Sequence, residues 1–128
     1  MNHAAWIIGH LAYSSQFLAT LFGADQTSTP GYAELFGMSS KPTDDPTRYP
    51  SKQQLLQALE AAHELSLQAM AKADDSVLQQ PNPVEPLAKA APTVGDLAVM
   101  LMTMHEGVHI GQLSAWRRAQ GMPAVSPF

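Results

Sequence analysis

The chain has 128 residues, 45% of them hydrophobic, and seven Lys plus Arg against eleven Asp plus Glu give a formal net charge of −4. That length sets a prior of one domain over residues 1–128, with the apolar fraction of a packed protein rather than a disordered one. No basic cluster beyond Arg117-Arg118 is present to grip nucleic acid, and no cysteine is available for a disulfide or a thiolate ligand. No apolar run reaches the roughly 20 residues that span a bilayer. The start, M-N-H-A-A-W, has no basic residues of a secretory signal, so the expected compartment is the cytoplasm.

Three segments carry the 3.6-residue apolar period of a packed helix. The first covers about residues 2–22, with Asn2 as its cap, Gly23 as its stop, and a stripe of Trp6, Ile7, Leu11, Phe17, Leu18 and Leu21. Residues 23–50 form a long connector rich in Pro, Gly, Ser, Thr and Asp, with an isolated apolar patch at Tyr32, Leu35 and Phe36. Connectors of this length are usually functional or disordered, and Phe36 and Tyr49 are expected to pack on the helices.

The second helix, about residues 51–73, opens on a capping box of Ser51 and Gln54. Its expected buried side is Leu55, Leu56, Leu59, Ala62, Leu67 and Met70. Four prolines between about Asp75 and Pro92 forbid a continuous helix there. The third helix, about residues 93–120, opens at Thr93, three residues before Asp96, and runs through Leu97, Leu101, Met104, Val108, Leu113 and Trp116 to Gly121 and Pro123. At about 28 residues it would be roughly 40 Å long. No repeat and no strand alternation is visible, and the fold class is all-α with antiparallel helices.

The chemistry concentrates in M-H-E-G-V-H-I-G-Q-L, Met104 to Leu113. His105 and His109 are four apart, so on a helix their imidazoles converge on one point. Neutral imidazole is the commonest protein ligand of transition metals. The stretch also matches H-E-x-x-H, the zinc-protease pattern with glutamate as general base. That chemistry needs a third ligand, usually downstream, and no Asp, Glu or His follows His109.

His10 lies on the apolar stripe of the first helix. By itself it reads as a hydrogen-bonded core residue. With two imidazoles already facing inward, and metal sites in bundles built from facing helices, it reads as the third member of a facial set of His10, His105 and His109. His3 shares that face but sits about 10 Å away along the axis, and reads as a terminal residue. His63 is a reserve ligand, more naturally a boundary residue. Glu106 is one step round from His105, and Gln112 is next to the seam; each either supports the site from behind or faces solvent. Gly107 and Gly111 each cost about 1 kcal/mol inside a helix, which predicts a tight helix–helix contact.

The segments N-H-A-A-W-I-I-G-H-L-A and H-E-G-V-H-I-G-Q-L-S-A-W-R-R-A-Q-G-M-P, joined by A-E-L-F-G and D-D-P-T-R-Y-P-S, together resemble the DinB-like (DinB/YfiT) superfamily. The resemblance spans nearly the whole chain. It implies an up-and-down four-helix bundle holding one divalent metal (zinc, nickel, iron or manganese) on three histidines, here His10, His105 and His109. It also implies thiol chemistry, because several members are transferases or isomerases with a low-molecular-weight thiol cosubstrate.

One departure from the pattern stands out: members carry a further helix before the W-x-x-G-H-L segment, on which this chain almost begins. The expectation is a homodimer in which a second copy completes the core, the alternatives being completion by a rearranged connector or a shortened gene product. The expected function is thus metal-dependent thiol S-transfer or hydrolysis on small electrophiles. The rival readings are a non-catalytic, metal-stabilised dimerisation or binding domain, and a zinc protease.

Overall fold

A computed structural model describes residues 2–25 and 29–124. Helix α1 (Ala4–Leu21) leads to a short α2 (Tyr32–Phe36), a 3₁₀ turn at Pro46–Arg48, and α3 (Lys52–Lys72). Two single turns follow, α4 (Asp75–Leu78) and α5 (Glu85–Ala88), before α6 (Val94–Val99) and α7 (Glu106–Ala119). Between the last two lies a π segment, Met100–His105, whose flanking residues Val99 and Glu106 keep helical φ/ψ, so the three pieces run as one helix. The architecture is all-α, with no strand among the described residues beyond an isolated bridge of Pro81 with Thr93. No described helix is long and apolar enough to cross a membrane.

The local signals operate largely as expected. Ser51 and Gln54 close the capping box of α3, and Thr93 with Asp96 closes another on α6. Gly23 and Gly121 take positive φ of 89° and 75° just past the first and last helices, a conformation that only glycine adopts freely. The start of α1 differs: its cap is His3, not Asn2, and His3 Nδ1 accepts from Trp6 N at 3.3 Å. His3 packs there edge-on to Tyr49, with ring centroids 4.7 Å apart, so this terminal residue caps the helix.

The core has two parts. In one, Trp6, Ile7, Leu11 and Ala12 of α1 meet Leu55 of α3 and the connector's Tyr32 and Phe36, with Tyr49 packed alongside. Phe36 and Tyr49 of the connector therefore pack on the helices as expected. In the other, Leu18, Ala19 and Phe22 meet Ala69, Val94 and Ala98. The stripe of α3 is narrower than the sequence suggested. Leu55, Ala62, Ser66 and Ala69 are buried, whereas Leu56 and Leu67 are 38% and 47% exposed, because only one helix, α1, covers α3 broadly.

The third helix departs from the expected row at Met104 and Val108, which are 60% and 52% exposed. Within the π segment the hydroxyl of Thr103 donates to Val99 O at 2.6 Å. The inward row runs from Leu97 and Ala98 through the half-buried Met102 to His105 and His109, and Met104 and Val108 stand beside it on an open flank. Gly107 and Gly111 are exposed, with open space where their Cβ atoms would be, so the expected helix contact at these glycines is not made.

Candidate metal centre

His10 projects from α1 toward the junction of the π segment with α7, where His105 and His109 sit one turn apart. His10 Nε2 lies 3.1 Å from His105 Nε2, and His109 Nε2 lies 3.2 Å from the same atom. One nitrogen from each of the three rings falls within 4.8 Å of the other two. Two nitrogens held about 2.0–2.1 Å from one tetrahedral ion stand roughly 3.3 Å apart, so this spacing suits a shared cation.

The far sides of the rings decide which nitrogens carry protons. His10 Nδ1 is 2.6 Å from Phe36 O, a carbonyl that can only accept, so Nδ1 donates and Nε2 keeps its lone pair. His109 Nδ1 stands 3.1 Å from Gln112 Oε1 with the same consequence, and Gln112 is itself held by Asn2 Nδ2 at 3.1 Å. His105 Nδ1 is buried and has no partner. Two lone pairs thus converge on a third ring that has one proton to give. A bound cation satisfies all three nitrogens at once, which is the arrangement of a ligand set whose outer nitrogens are anchored.

Burial lowers the pKa of all three rings. His105 falls to about 4 through burial and the neighbouring His109 and His10. His10 is lowered by burial against the opposing hydrogen bond to Phe36, and His109 by burial and by His10 against the bond to Gln112. Near neutral pH the rings are therefore uncharged, the form in which imidazole ligates a metal.

Packing fixes the ring of His10. Trp6, one turn earlier, stacks on it at 4.6 Å with planes 9° apart, and the Trp6 Nε1 proton goes to Ser40 Oγ at 2.9 Å. Ser40 in turn donates to Gly37 O. Gly9 makes room for this corner, since a Cβ there would overlap the Phe36 ring. Trp6, Phe36 and Ser40 were not singled out from the sequence as site residues. The W-x-x-x-H spacing of Trp6 and His10 was the one signal available, because i and i+4 stack on a helix.

The other candidates are placed elsewhere. His63 Nε2 lies 2.7 Å from Glu106 Oε1, so the reserve ligand and the glutamate of H-E-x-x-H are engaged with each other, outside the three-histidine cluster. Gln112 supports His109 from behind. Beside His10 and His105 opens a cleft of ≈ 540 Å³ between α1 and the third helix, walled by Trp6, Tyr13, Phe17, Met100, Leu101 and Met104 among others.

With that geometry in view, the comparisons add one finding: the family model described as the DinB superfamily matches residues 1–113. No curated protein and no solved structure matches the chain.

Proposed function

The chain belongs to the DinB superfamily, and on that premise we propose that it binds one divalent metal ion through the Nε2 atoms of His10, His105 and His109 and uses it to activate a thiol or water against a small electrophile. The observation that carries this reading is the convergence of three neutral imidazoles, two of them with their outer N–H groups already committed to Phe36 O and Gln112 Oε1. A divalent ion at such a site favours the deprotonated form of a coordinated thiol or water near neutral pH.

The chain's own residues supply the rest. Phe36 O and Gln112 Oε1 fix the tautomers, so two of the ligand nitrogens face the centre without a proton to displace. Trp6 holds the His10 ring against rotation. The cleft receives the reacting molecule next to two of the three histidines and shields it from bulk water on its apolar walls. Glu106 lies against His63 and outside the three-histidine cluster, which weighs against the general-base role that a zinc protease requires.

The test is a conjugation assay of small thiols with an activated aryl halide, run on metal-loaded protein and on His109→Ala. Turnover that disappears with the metal in the variant supports the reading. Metal bound by the parent with no turnover on any thiol or water reaction would leave a metal-stabilised binding domain instead.

A further inference from the structure

From the composition of the cleft wall, we infer that the cleft beside His10 and His105 takes an uncharged, mostly hydrocarbon molecule whose single metal-seeking head points at the histidines. The position of the head rests on the metal-centre reading above; the choice of body rests on the cleft alone. The volume, ≈ 540 Å³, lies in the range of sites for small organic ligands. Helix α1 contributes Trp6, Tyr13 and Phe17, and the third helix contributes Met100, Leu101 and Met104.

Charge decides the class of ligand. Among the described residues no Asp, Glu, Lys or Arg lines the cleft, and every such residue of the chain lies among the described ones. A peptidic thiol with free carboxylates would have to strip water from each charge here without meeting a cation, and that desolvation goes uncompensated. An aryl or alkyl body loses nothing polar on entering and covers apolar wall that is otherwise wet. Methionines at 38, 100 and 104 add side chains that adjust to irregular shapes, and Met38 and Met104 are exposed at 66% and 60%, which puts them at the mouth. The Trp6 Nε1 proton is committed to Ser40 Oγ, which leaves the hydroxyls of Tyr13 and Ser14 and the two imidazoles as polar side-chain groups on the wall, enough to orient one head group but not a zwitterion.

Two arms test this on the full chain. In the first, the uncharged dye N-phenyl-1-naphthylamine is titrated into metal-free protein and into Met104→Lys, a change at an exposed position that leaves the helix intact by circular dichroism. The dye should bind the parent and bind the variant roughly tenfold more weakly, because the new ammonium stands at the mouth. In the second, cobalt(II)-loaded protein is titrated with phenylmethanethiol and with mercaptoacetate, which share a thiol head and differ in body. The visible spectrum should respond to the aryl thiol at a concentration roughly tenfold lower than to the acid.

Equal response to the two thiols, or no dye binding by the folded parent, would overturn the inference. A sedimentation dimer that excludes the dye and dissociates in Met104→Lys would also overturn it, by giving the cleft to a second copy. Failure of cobalt to bind at all would refute the metal centre, and the dye arm would still decide the cleft.

Discussion

The Nδ1 atom of His10 lies 2.6 Å from the backbone oxygen of Phe36, which ties α1 to the connector after it at the base of the histidine cluster. Phe36 is fully buried, and its ring occupies the space a side chain on Gly9 would need. The adjacent pair Gly9-His10 therefore serves one arrangement: the glycine admits the connector, and the connector's carbonyl orients the histidine.

Gly9→Ala should strike both functions together. An added methyl in a packed corner costs about 1–3 kcal/mol, since side chains and backbone must shift to admit it. Thermal unfolding should show the loss in metal-free protein, and a metal titration should show weaker binding, because Phe36 O moves from His10. A variant as stable as the parent would mean that Phe36 does not pack on Gly9.

Gln112→Leu separates orientation from packing, since leucine is close to glutamine in size but cannot accept the His109 Nδ1 proton. Partners behind a ligating histidine are typically worth 10–100-fold in metal affinity, and a loss of about that size is expected with helix content unchanged. Competition with a chromophoric chelator measures it. Unchanged affinity would remove Gln112 from the site.

The pH dependence has a defined sign. His105 titrates near pH 4 in the folded protein against 6.5 when unperturbed, and His10 and His109 shift in the same direction. Between these values the unfolded chain binds more protons than the folded one, so stability rises with pH. Metal-free protein should lose stability as pH falls from 6.5 toward 4, and the slope from His105 should vanish below that. Denaturant titrations at several pH values, on the parent and on His105→Gln, read the effect; equal slopes in the two proteins would contradict it.

Gly107→Ala and Gly111→Ala should stabilise. Both glycines have helical backbone and open space around them, and alanine is favoured by about 1 kcal/mol at an exposed helix position. Each variant should melt higher with unchanged metal affinity. Destabilisation would show that something covers this flank in solution, such as a second copy of the chain.

The helices were legible because their signals are local. The Ser51–Gln54 and Thr93–Asp96 boxes and the stops at Gly23 and Gly121 depend on a few neighbouring residues, and they stand where the sequence put them. The convergence of His10, His105 and His109 was also legible, from an i, i+4 pair and an inward histidine on a facing helix. What escaped depends on tertiary context. Periodicity does not mark the π segment, nor how wide a face of the third helix is covered, so the exposure of Met104 and Val108 was invisible to it. Leu56 and Leu67 look buried on a helical wheel, but a wheel does not say how wide a face the neighbouring helix covers. Phe36 supports the site through a backbone carbonyl, a group that every residue has and no side-chain pattern marks.

The most direct test is the metal content of protein purified without a metal-affinity column, measured by mass spectrometry beside His10→Ala. The account predicts about one equivalent of a divalent metal in the parent and its loss in the variant, because His10 alone joins the first helix to the pair on the third. A parent that takes up no metal even after incubation with zinc or nickel, or a variant that keeps its full equivalent, would contradict it.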